Sequence, residues 1–147
     1  MKKFILVLSL ILIPVLVFGF TASVSPNTVK AGSRAVFTFT IIPATDVENA
    51  IVDLTMPDGF SAPAIPYKLP GYITYSGDAV FYGLSVSNQK VFIGVDSIKA
   101  GKVIIVKYGS LYSWNPSVVI PNSPGTVSFT LKFDGETVSL PITIVGR

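Results

Sequence analysis

Cysteine and histidine are both absent from this chain, and charged residues make up only 13% of it. Without cysteine the protein forms no disulfide framework, and the lipid anchor of lipoproteins, which needs a cysteine, is excluded. Structural zinc sites are built from cysteine and histidine, so the sequence argues against zinc. Catalysis by a Ser–His or Cys–His pair is excluded, as is a histidine pH switch.

An excess of one charge sign is also missing once the N-terminus is set aside. The formal net charge is +3, but Lys2 and Lys3 belong to a distinct N-terminal segment and the rest of the chain is nearly neutral. Its basic residues are scattered singly, without the stripe that a nucleic-acid-binding protein presents. No phosphate-binding glycine loop and no dinucleotide fingerprint occur. We therefore expect no nucleic-acid partner and no cofactor.

Paired carboxylates are the only general enzymatic chemistry that remains. A glycosidase needs two of them across a cleft, whereas most acidic residues here fall at turns or at outward strand positions. The sequence therefore favours a protein that is not an enzyme. A calcium site needs clustered oxygen ligands. Asp46, Glu48 and Asp58 are the best candidates for one, with ordinary turn residues as the simpler interpretation.

The first residues have the pattern of an export signal. Lys2 and Lys3 precede an apolar run from residue 4 to residue 20. This run is long for a signal peptide and short for a membrane-spanning helix, and Pro14 would kink such a helix. We predict a signal peptide or membrane anchor over residues 1–22, with membrane contact through residues 4–20 if it is not cleaved.

Two cleavage positions are open in this segment. A cut after Gly19 places Val17 and Gly19 at the −3 and −1 positions, whereas a cut after Ala22 places the bulky Phe20 at −3. Because the N-terminal lysines stay in the cytoplasm, the rest of the chain lies on the other side of the membrane in either case. We expect a secreted or surface-displayed domain over residues 23–147.

Apolar and polar residues alternate along this domain, which is the pattern of half-buried β-strands. The clearest examples are residues 127–133 and 138–144, which are separated by Asp134-Gly135-Glu136 and are predicted to form a β-hairpin. Pro141 cannot donate a backbone hydrogen bond, so the last strand is predicted to lie at a sheet edge at that position.

Shorter strands are predicted upstream, with glycine- or proline-containing turns between them. They cover residues 37–41, 52–56, 91–95 and 103–106. The last is a continuous apolar run, which is expected of a strand covered on both faces. No helical period appears after residue 22, so the sequence predicts an all-β antiparallel sandwich.

Two stretches break the alternation. Residues 60–71 contain three prolines and are predicted to be an extended surface loop, and residues 109–124 contain the single tryptophan. Exposed rings on a β-sandwich can stack on sugars or form a protein-binding patch, although tyrosine and tryptophan also serve as half-buried anchors. The candidate ligand-binding aromatics are Trp114, Tyr112, Tyr67, Tyr72 and Tyr75.

Two segments resemble the immunoglobulin-like domains of prokaryotic cell-surface proteins. The first is VSPNTVKAGS at residues 24–33, before an alternating strand. The second is IKAGKVIIVKYG at residues 98–109, followed by VIPNSPGTVSFTL at residues 119–131. These are turn and core residues, so the resemblance implies a fold and an extracytoplasmic location. That fold is a single immunoglobulin-like β-sandwich of about seven to nine strands behind the N-terminal signal or anchor helix.

Three functions remain open from the sequence. The first is a secreted or surface-displayed structural or adhesive module without catalytic activity, in contact with other cell-envelope proteins or surface polysaccharide. The second is a pilin-like filament subunit that self-assembles through the N-terminal apolar helix. The third is a carbohydrate-binding module that uses the exposed aromatics.

Overall fold

The structure is a computed structural model that describes residues 19–109 and 117–146, together with the backbone of residues 15–17. This part contains thirteen β-strands and no helix, so none of its elements is an apolar helix of membrane-spanning length. The strands are β1 Val15–Val17, β2 Phe20–Ser25, β3 Thr28–Lys30, β4 Arg34–Ala35, β5 Phe37–Pro43, β6 Val47–Thr55, β7 Ile73–Gly77, β8 Val80–Ser87, β9 Lys90–Ile98, β10 Ile104–Tyr108, β11 Val118–Val119, β12 Gly125–Phe133 and β13 Glu136–Val145.

Eleven of these strands form two sheets that pack face to face. Sheet A has the order β1-β2-β5-β10-β7, and sheet B has the order β3-β13-β12-β6-β9-β8. Strands β4 and β11 form a separate two-stranded pair. Every one of these strand pairs is antiparallel except β3 with β13, which is parallel. The predicted all-β sandwich is therefore confirmed.

The C-terminal hairpin shows how the sequence pattern dictates this arrangement. Phe133 pairs with Glu136, so only Asp134 and Gly135 form the turn, and both have positive φ, 51° and 81°. This is the backbone geometry that matches the right-handed twist of two joined strands. The hairpin is confirmed, with Glu136 as the first residue of the returning strand.

The edge position predicted from Pro141 is also confirmed. Pro141 is exposed and lies opposite Ser128 of β12, while β3 pairs with β13 only from Thr143 onward. Among the described residues, no strand is therefore paired with the other side of β13 at Pro141, where a backbone N–H would have donated.

More strands are present than the seven to nine expected. Strands β3, β4 and β11 are only two or three residues long, which is too short for a period to appear. Strand β8 is hidden in the sequence because two register shifts between Val80 and Gly83 change the phase of its alternation. Strand β6 begins five residues earlier than predicted, since Asn49, with a φ of 52°, interrupts its ladder with β9.

The N-terminal segment is β-structure wherever the structure describes it. Strand β1 pairs antiparallel with β2, and Phe20 and Ala22 of β2 are buried in the core. At residues 15–17 and 20 the structure therefore has strand where a helix was expected, and the rest of residues 1–18 lies outside the described residues. The signal peptide or membrane anchor over residues 1–22 stays a prediction. Val-Leu-Val has a high β-propensity, and pairing satisfies its backbone groups. The pilin-like alternative depends on this helix.

Strand β10 corrects the expectation for residues 103–106. Ile104 and Val106 are buried, but Ile105 is only partly buried and Lys107 is exposed. The strand is central in sheet A, and only its inner face is fully covered. The run reads as continuous because Ile105 stays apolar on the half-covered outer face.

Aromatic side chains concentrate at one end of the core. The ring of Phe129 on β12 lies 4.8 Å from that of Phe39 and 5.1 Å from that of Phe37, both on β5. It also lies 6.1 Å from Tyr108 of β10 and 5.8 Å from Phe60, which belongs to the loop after β6. One ring from sheet B thus joins sheet A and a loop.

Candidate functional site

The two irregular stretches of the sequence meet at this aromatic end of the sandwich. Residues 56–72 connect β6 of sheet B to β7 of sheet A, and the ladder of β7 with β10 places them beside the segment that follows Tyr108. A β-carbon at Gly59 would lie only 3.0 Å from Cγ of Pro121. We call residues 57–72 the tip loop, and this end of the sandwich the tip end.

The base of the tip loop is anchored in the core. Phe60 is buried and its ring contacts those of Phe37 and Phe129. The side-chain amide of Gln89 donates to the carbonyl oxygens of Pro57, at 3.2 Å, and Phe60, at 3.4 Å. A loop held by a buried ring and by hydrogen bonds at its base has a defined conformation.

Tyr108 ties the tip loop to sheet A. Its ring is fully buried, and its hydroxyl donates to the backbone carbonyl of Ser61. The Ser61 hydroxyl oxygen in turn accepts from the backbone N–H of Val119 at 2.9 Å. Burial raises the pKa of Tyr108 far above its ordinary value. The hydroxyl therefore remains protonated and remains a donor.

A short ladder closes the loop above this base. The backbone N–H of Ala64 donates to the carbonyl of Gly71 at 2.8 Å, and the N–H of Ile73 donates to the carbonyl of Ala64 at 2.9 Å. Gly71 is needed here because a β-carbon would overlap the carbonyl oxygen of Ala62. The two arms of the loop thus approach more closely than any residue with a side chain allows.

Residues 65–69 project from this base, and all five are exposed. The exposed fractions are 50% for Ile65, 49% for Tyr67 and 47% for Leu69. A proline and a lysine lie between them. Large apolar side chains exposed in succession on a fixed loop usually mark a surface that contacts something. We call Ile65, Tyr67 and Leu69 the apolar tip.

Two of the aromatic residues predicted from the sequence, Tyr67 and Tyr72, belong to the tip loop. Aromatic residues were the candidates, and Tyr67 is the one that lies in the apolar tip. Ile65 and Leu69 are not predicted from the sequence, because single aliphatic residues outside a strand show no periodic pattern that would indicate exposure. The signal that could have found them is the combination of three prolines, one charge and alternate apolar residues within residues 63–70.

Of the other predicted aromatics, Tyr72 ends the tip loop and Tyr75 lies on β7. Tyr72 is half-buried, and its carbonyl accepts from the N–H of Gly109 at 2.8 Å. Tyr75 packs against Phe81 with ring centroids 4.7 Å apart, where the edge strands of the two sheets meet. Tyr112 and Trp114 lie outside the described residues.

A second apolar area lies on the outer face of sheet B. Tyr82 is 62% exposed, and its ring lies over Gly94. A β-carbon at Gly94 would lie only 2.7 Å from Cδ2 of Tyr82, so the ring occupies the space that a side chain there would need. Beside it, Ile51, Leu84 and Phe92 line a depression of about 270 Å³. A neighbouring depression of about 410 Å³ continues past Ile51 and Phe92 toward polar side chains.

The opposite end of the sandwich is built from polar turns. Asp46 accepts from the backbone N–H of Ala100 at 2.9 Å and lies 3.4 Å from the ammonium of Lys99. These two contacts lower the pKa of Asp46, with the backbone hydrogen bond as the larger cause. Asp78 accepts from the N–H of Val103 at 3.2 Å. Carboxylates here stabilise chain reversals.

This arrangement corrects the calcium candidates. Asp46 precedes the nine-residue strand β6 and Asp58 follows it, so the two carboxylates lie at opposite ends of the sandwich, roughly 30 Å apart along the strand. Across residues 19–109 and 117–146 there is no group of three or more acidic side chains that could hold a metal ion. Asp46 instead holds the turn at Ala100.

Comparison with known proteins connects the fold to a solved structure. No family model matches the chain, and no curated protein is significantly similar in sequence. The crystal structure of BslA, described as a bacterial hydrophobin, is similar in fold. Its TM-score is 0.57 at 20% sequence identity, and the match covers 86% of this chain and 95% of that chain. At this identity the likeness shows a shared β-sandwich fold.

Proposed function

We propose that this protein is a non-catalytic structural protein of the cell exterior that adsorbs to apolar interfaces through its apolar tip. The observation that carries the proposal is the exposure of Ile65, Tyr67 and Leu69 on a loop whose base is held rigidly. Water-exposed apolar surface gains free energy when it enters an apolar phase. The description of BslA as a bacterial hydrophobin agrees with this function.

The size of the apolar tip suits reversible adsorption. Roughly half of each of its three side chains is already buried, so transferring the remainder is worth about 1 kcal/mol per side chain. Three side chains together contribute about 3 kcal/mol, or roughly a hundredfold in the adsorption equilibrium. No large rearrangement is required, because the tip is exposed in the folded protein.

The remaining parts of the proposal concern location and assembly. Immunoglobulin-like topology, export by the N-terminal segment and display outside the cell are supported by the alternating strands and by the basic and apolar start of the sequence. Copies adsorbed through the same end would stand side by side, so contacts between neighbours would come from the sheet faces and edges. This gives self-assembly a geometry that does not need an N-terminal helix.

Interfacial tension of an oil drop in protein solution tests the proposal. The Ile65→Lys/Leu69→Lys double variant should adsorb more slowly and lower the tension less than the wild type, because two charged groups would have to be desolvated. Val80→Lys is the matched control, since Val80 is 57% exposed but lies at the opposite end. Equal adsorption by all three proteins, or an equal loss in Val80→Lys, would refute the proposal.

Polysaccharide binding on sheet B is a second candidate, and the exposure of Tyr82 favours it. The ring of Tyr82 presents an apolar surface beside the two adjoining depressions, and aromatic rings can stack on sugars. Tyr82→Ala should abolish retention on an insoluble surface polysaccharide, whereas Tyr67→Ala, which removes another exposed ring at a different place, should leave it. Absence of retention by the wild type on any such polymer removes this candidate.

A further inference from the structure

The charges of the described residues are sorted between the two ends of the sandwich. At the tip end, the five cations are Lys30, Arg34, Lys68, Lys90 and Lys107, and the carboxylates are Asp58 and Asp53, which lies 3.9 Å from Lys90. At the opposite end, the carboxylates are Asp46, Glu48, Asp78, Asp96, Asp134 and Glu136, and the cations are Lys99 and Lys102. The near-zero net charge therefore hides a strong separation of charge along the strands.

Strand register places these charges at opposite ends. Asp53, two residues from the tip end of β6, is the ladder neighbour of Lys132, the next-to-last residue of β12, so these two opposite charges lie side by side in sheet B. Lys107 is one residue from Tyr108, whose hydroxyl holds the tip loop. The guanidinium of Arg34 donates to the carbonyl of Ser117 at 3.2 Å, next to the segment that binds Ser61.

One of the cations belongs to the loop that carries the apolar tip. Lys68 lies between Tyr67 and Leu69, and its ammonium is 6.0 Å from the centre of the Tyr67 ring. All five cations of the tip end are exposed. Lys90 is partly neutralised by Asp53 at 3.9 Å, which leaves Lys30, Arg34, Lys68 and Lys107 as the main source of positive potential around the apolar tip.

From this juxtaposition we infer that the tip end docks on a membrane surface that contains anionic phospholipid. The inference rests on the proposed function, and it specifies which interface the apolar tip enters. The apolar tip requires a hydrocarbon phase, and the surrounding cations require a layer of negative charge directly above that phase. An anionic phospholipid bilayer supplies both at the same depth.

Other binding partners would either neutralise the cations or bury the apolar tip, but not both. A soluble anionic polymer neutralises the cations but leaves Ile65 and Leu69 in water, and a plain oil phase buries them without a countercharge. A second copy of the chain could offer its acidic end, but that end is formed by polar turns around Asp46 and Asp78. Such a contact would not bury the apolar tip.

Vesicle binding tests the inference. The full-length protein is mixed with vesicles of phosphatidylcholine alone or of phosphatidylcholine with phosphatidylglycerol, and the bound fraction is measured by sedimentation. Binding should be stronger to the anionic vesicles and should weaken as salt is added. Lys68→Gln should weaken that binding about fivefold, since each cation near such a surface contributes about 1 kcal/mol. Lys102→Gln, an exposed lysine of the opposite end, should have no effect.

Two further measurements separate this inference from the proposed function. Lys68→Gln should adsorb to an oil drop at least as well as the wild type does, whereas Ile65→Lys/Leu69→Lys should lose that adsorption. A protein that adsorbs to oil but binds the two kinds of vesicle equally would retain the proposed function and overturn the inference. Equal losses in Lys68→Gln and Lys102→Gln, or full displacement from vesicles by soluble polyphosphate, would overturn it too.

Discussion

The chain reverses direction at both ends of the sandwich, but the connections at the two ends are built differently. At the polar end the β12–β13 connection needs only Asp134 and Gly135, and Asp46 and Asp78 stabilise neighbouring turns through backbone N–H groups. At the tip end the connection from β6 to β7 is seventeen residues long and exposes apolar side chains. Because short polar turns are enough to reverse the chain in this fold, the long loop with its exposed apolar side chains indicates a function.

The ends also differ in how the core supports them. The tip end stands on the rings that surround Phe129, and Tyr108 and Gly71 fix the loop above them. The polar end relies on exposed carboxylates, whose contributions are small and depend on pH. Exposure of apolar groups is costly in water, and the rigid base prevents the tip from folding back onto the surface.

Removal of the ring beneath the tip loop should have the largest effect on how the core supports the tip end. Phe129→Ala should lower the free energy of unfolding by about 3–5 kcal/mol, because it leaves a cavity that four neighbouring rings line. Urea denaturation followed by circular dichroism measures this. A loss below about 1 kcal/mol, the range of an ordinary surface change, would mean that the aromatic cluster does not support the tip end.

A methyl group placed where the two arms of the loop meet should have the next largest effect. Gly71→Ala forces a β-carbon against the backbone of Ala62, and overpacking of this kind costs about 1–3 kcal/mol. Gly83→Ala is the matched control, since nothing lies within 4 Å of its β-carbon. It should change stability by less than about 1 kcal/mol, with a slight gain favoured. Equal effects of the two would show that the arms are not fixed.

The hydroxyl of Tyr108 gives a smaller effect with a pH signature. Tyr108→Phe should cost about 1 kcal/mol, since the carbonyl of Ser61 loses its donor. Because burial raises the pKa of Tyr108 in the folded protein, its contribution is fully present below pH ~10 and is lost as the pH rises further. Urea midpoints at pH 8 and at pH 11 should therefore differ more in the wild type than in the variant.

The smallest effect is expected at the polar end. Asp46→Ala removes the acceptor for the N–H of Ala100 and the partner of Lys99. The pKa of Asp46 is lowered in the folded protein, so its stabilisation is present above pH ~4 and disappears as the pH falls. Thermal melts at pH 7 should show a slight loss that vanishes in acid. A change in adsorption to oil would contradict the separation of roles between the ends.

The fold is predictable from the sequence where the alternation of apolar and polar residues is regular. The β12–β13 hairpin and the strands around Phe37 and Val91 follow directly from their period of two. Strand β8 could not be recovered, because its bulges at Phe81 and Tyr82 shift the phase. Strand β2 was hidden for a different reason. Its apolar residues continue the N-terminal run, so composition alone assigns them to the leader.

The candidate site was recovered less well than the fold. Proline content located the tip loop, but exposure of Ile65 and Leu69 is a property of three-dimensional packing. An isoleucine in a loop can equally fill a core. The separation of charge between the two ends is also a property of the three-dimensional structure. Acidic and basic residues are interspersed in the sequence, and only the strand register sorts them to opposite ends.

The orientation of the adsorbed protein tests the central claim most directly. Because the chain has no cysteine, Leu69→Cys and Val80→Cys each provide a single site for a polarity-sensitive fluorophore. On addition of oil droplets, the label at residue 69 should shift to the emission of an apolar environment, and the label at residue 80 should keep its aqueous emission. Equal shifts at both positions, or a shift at residue 80 alone, would contradict adsorption through the apolar tip.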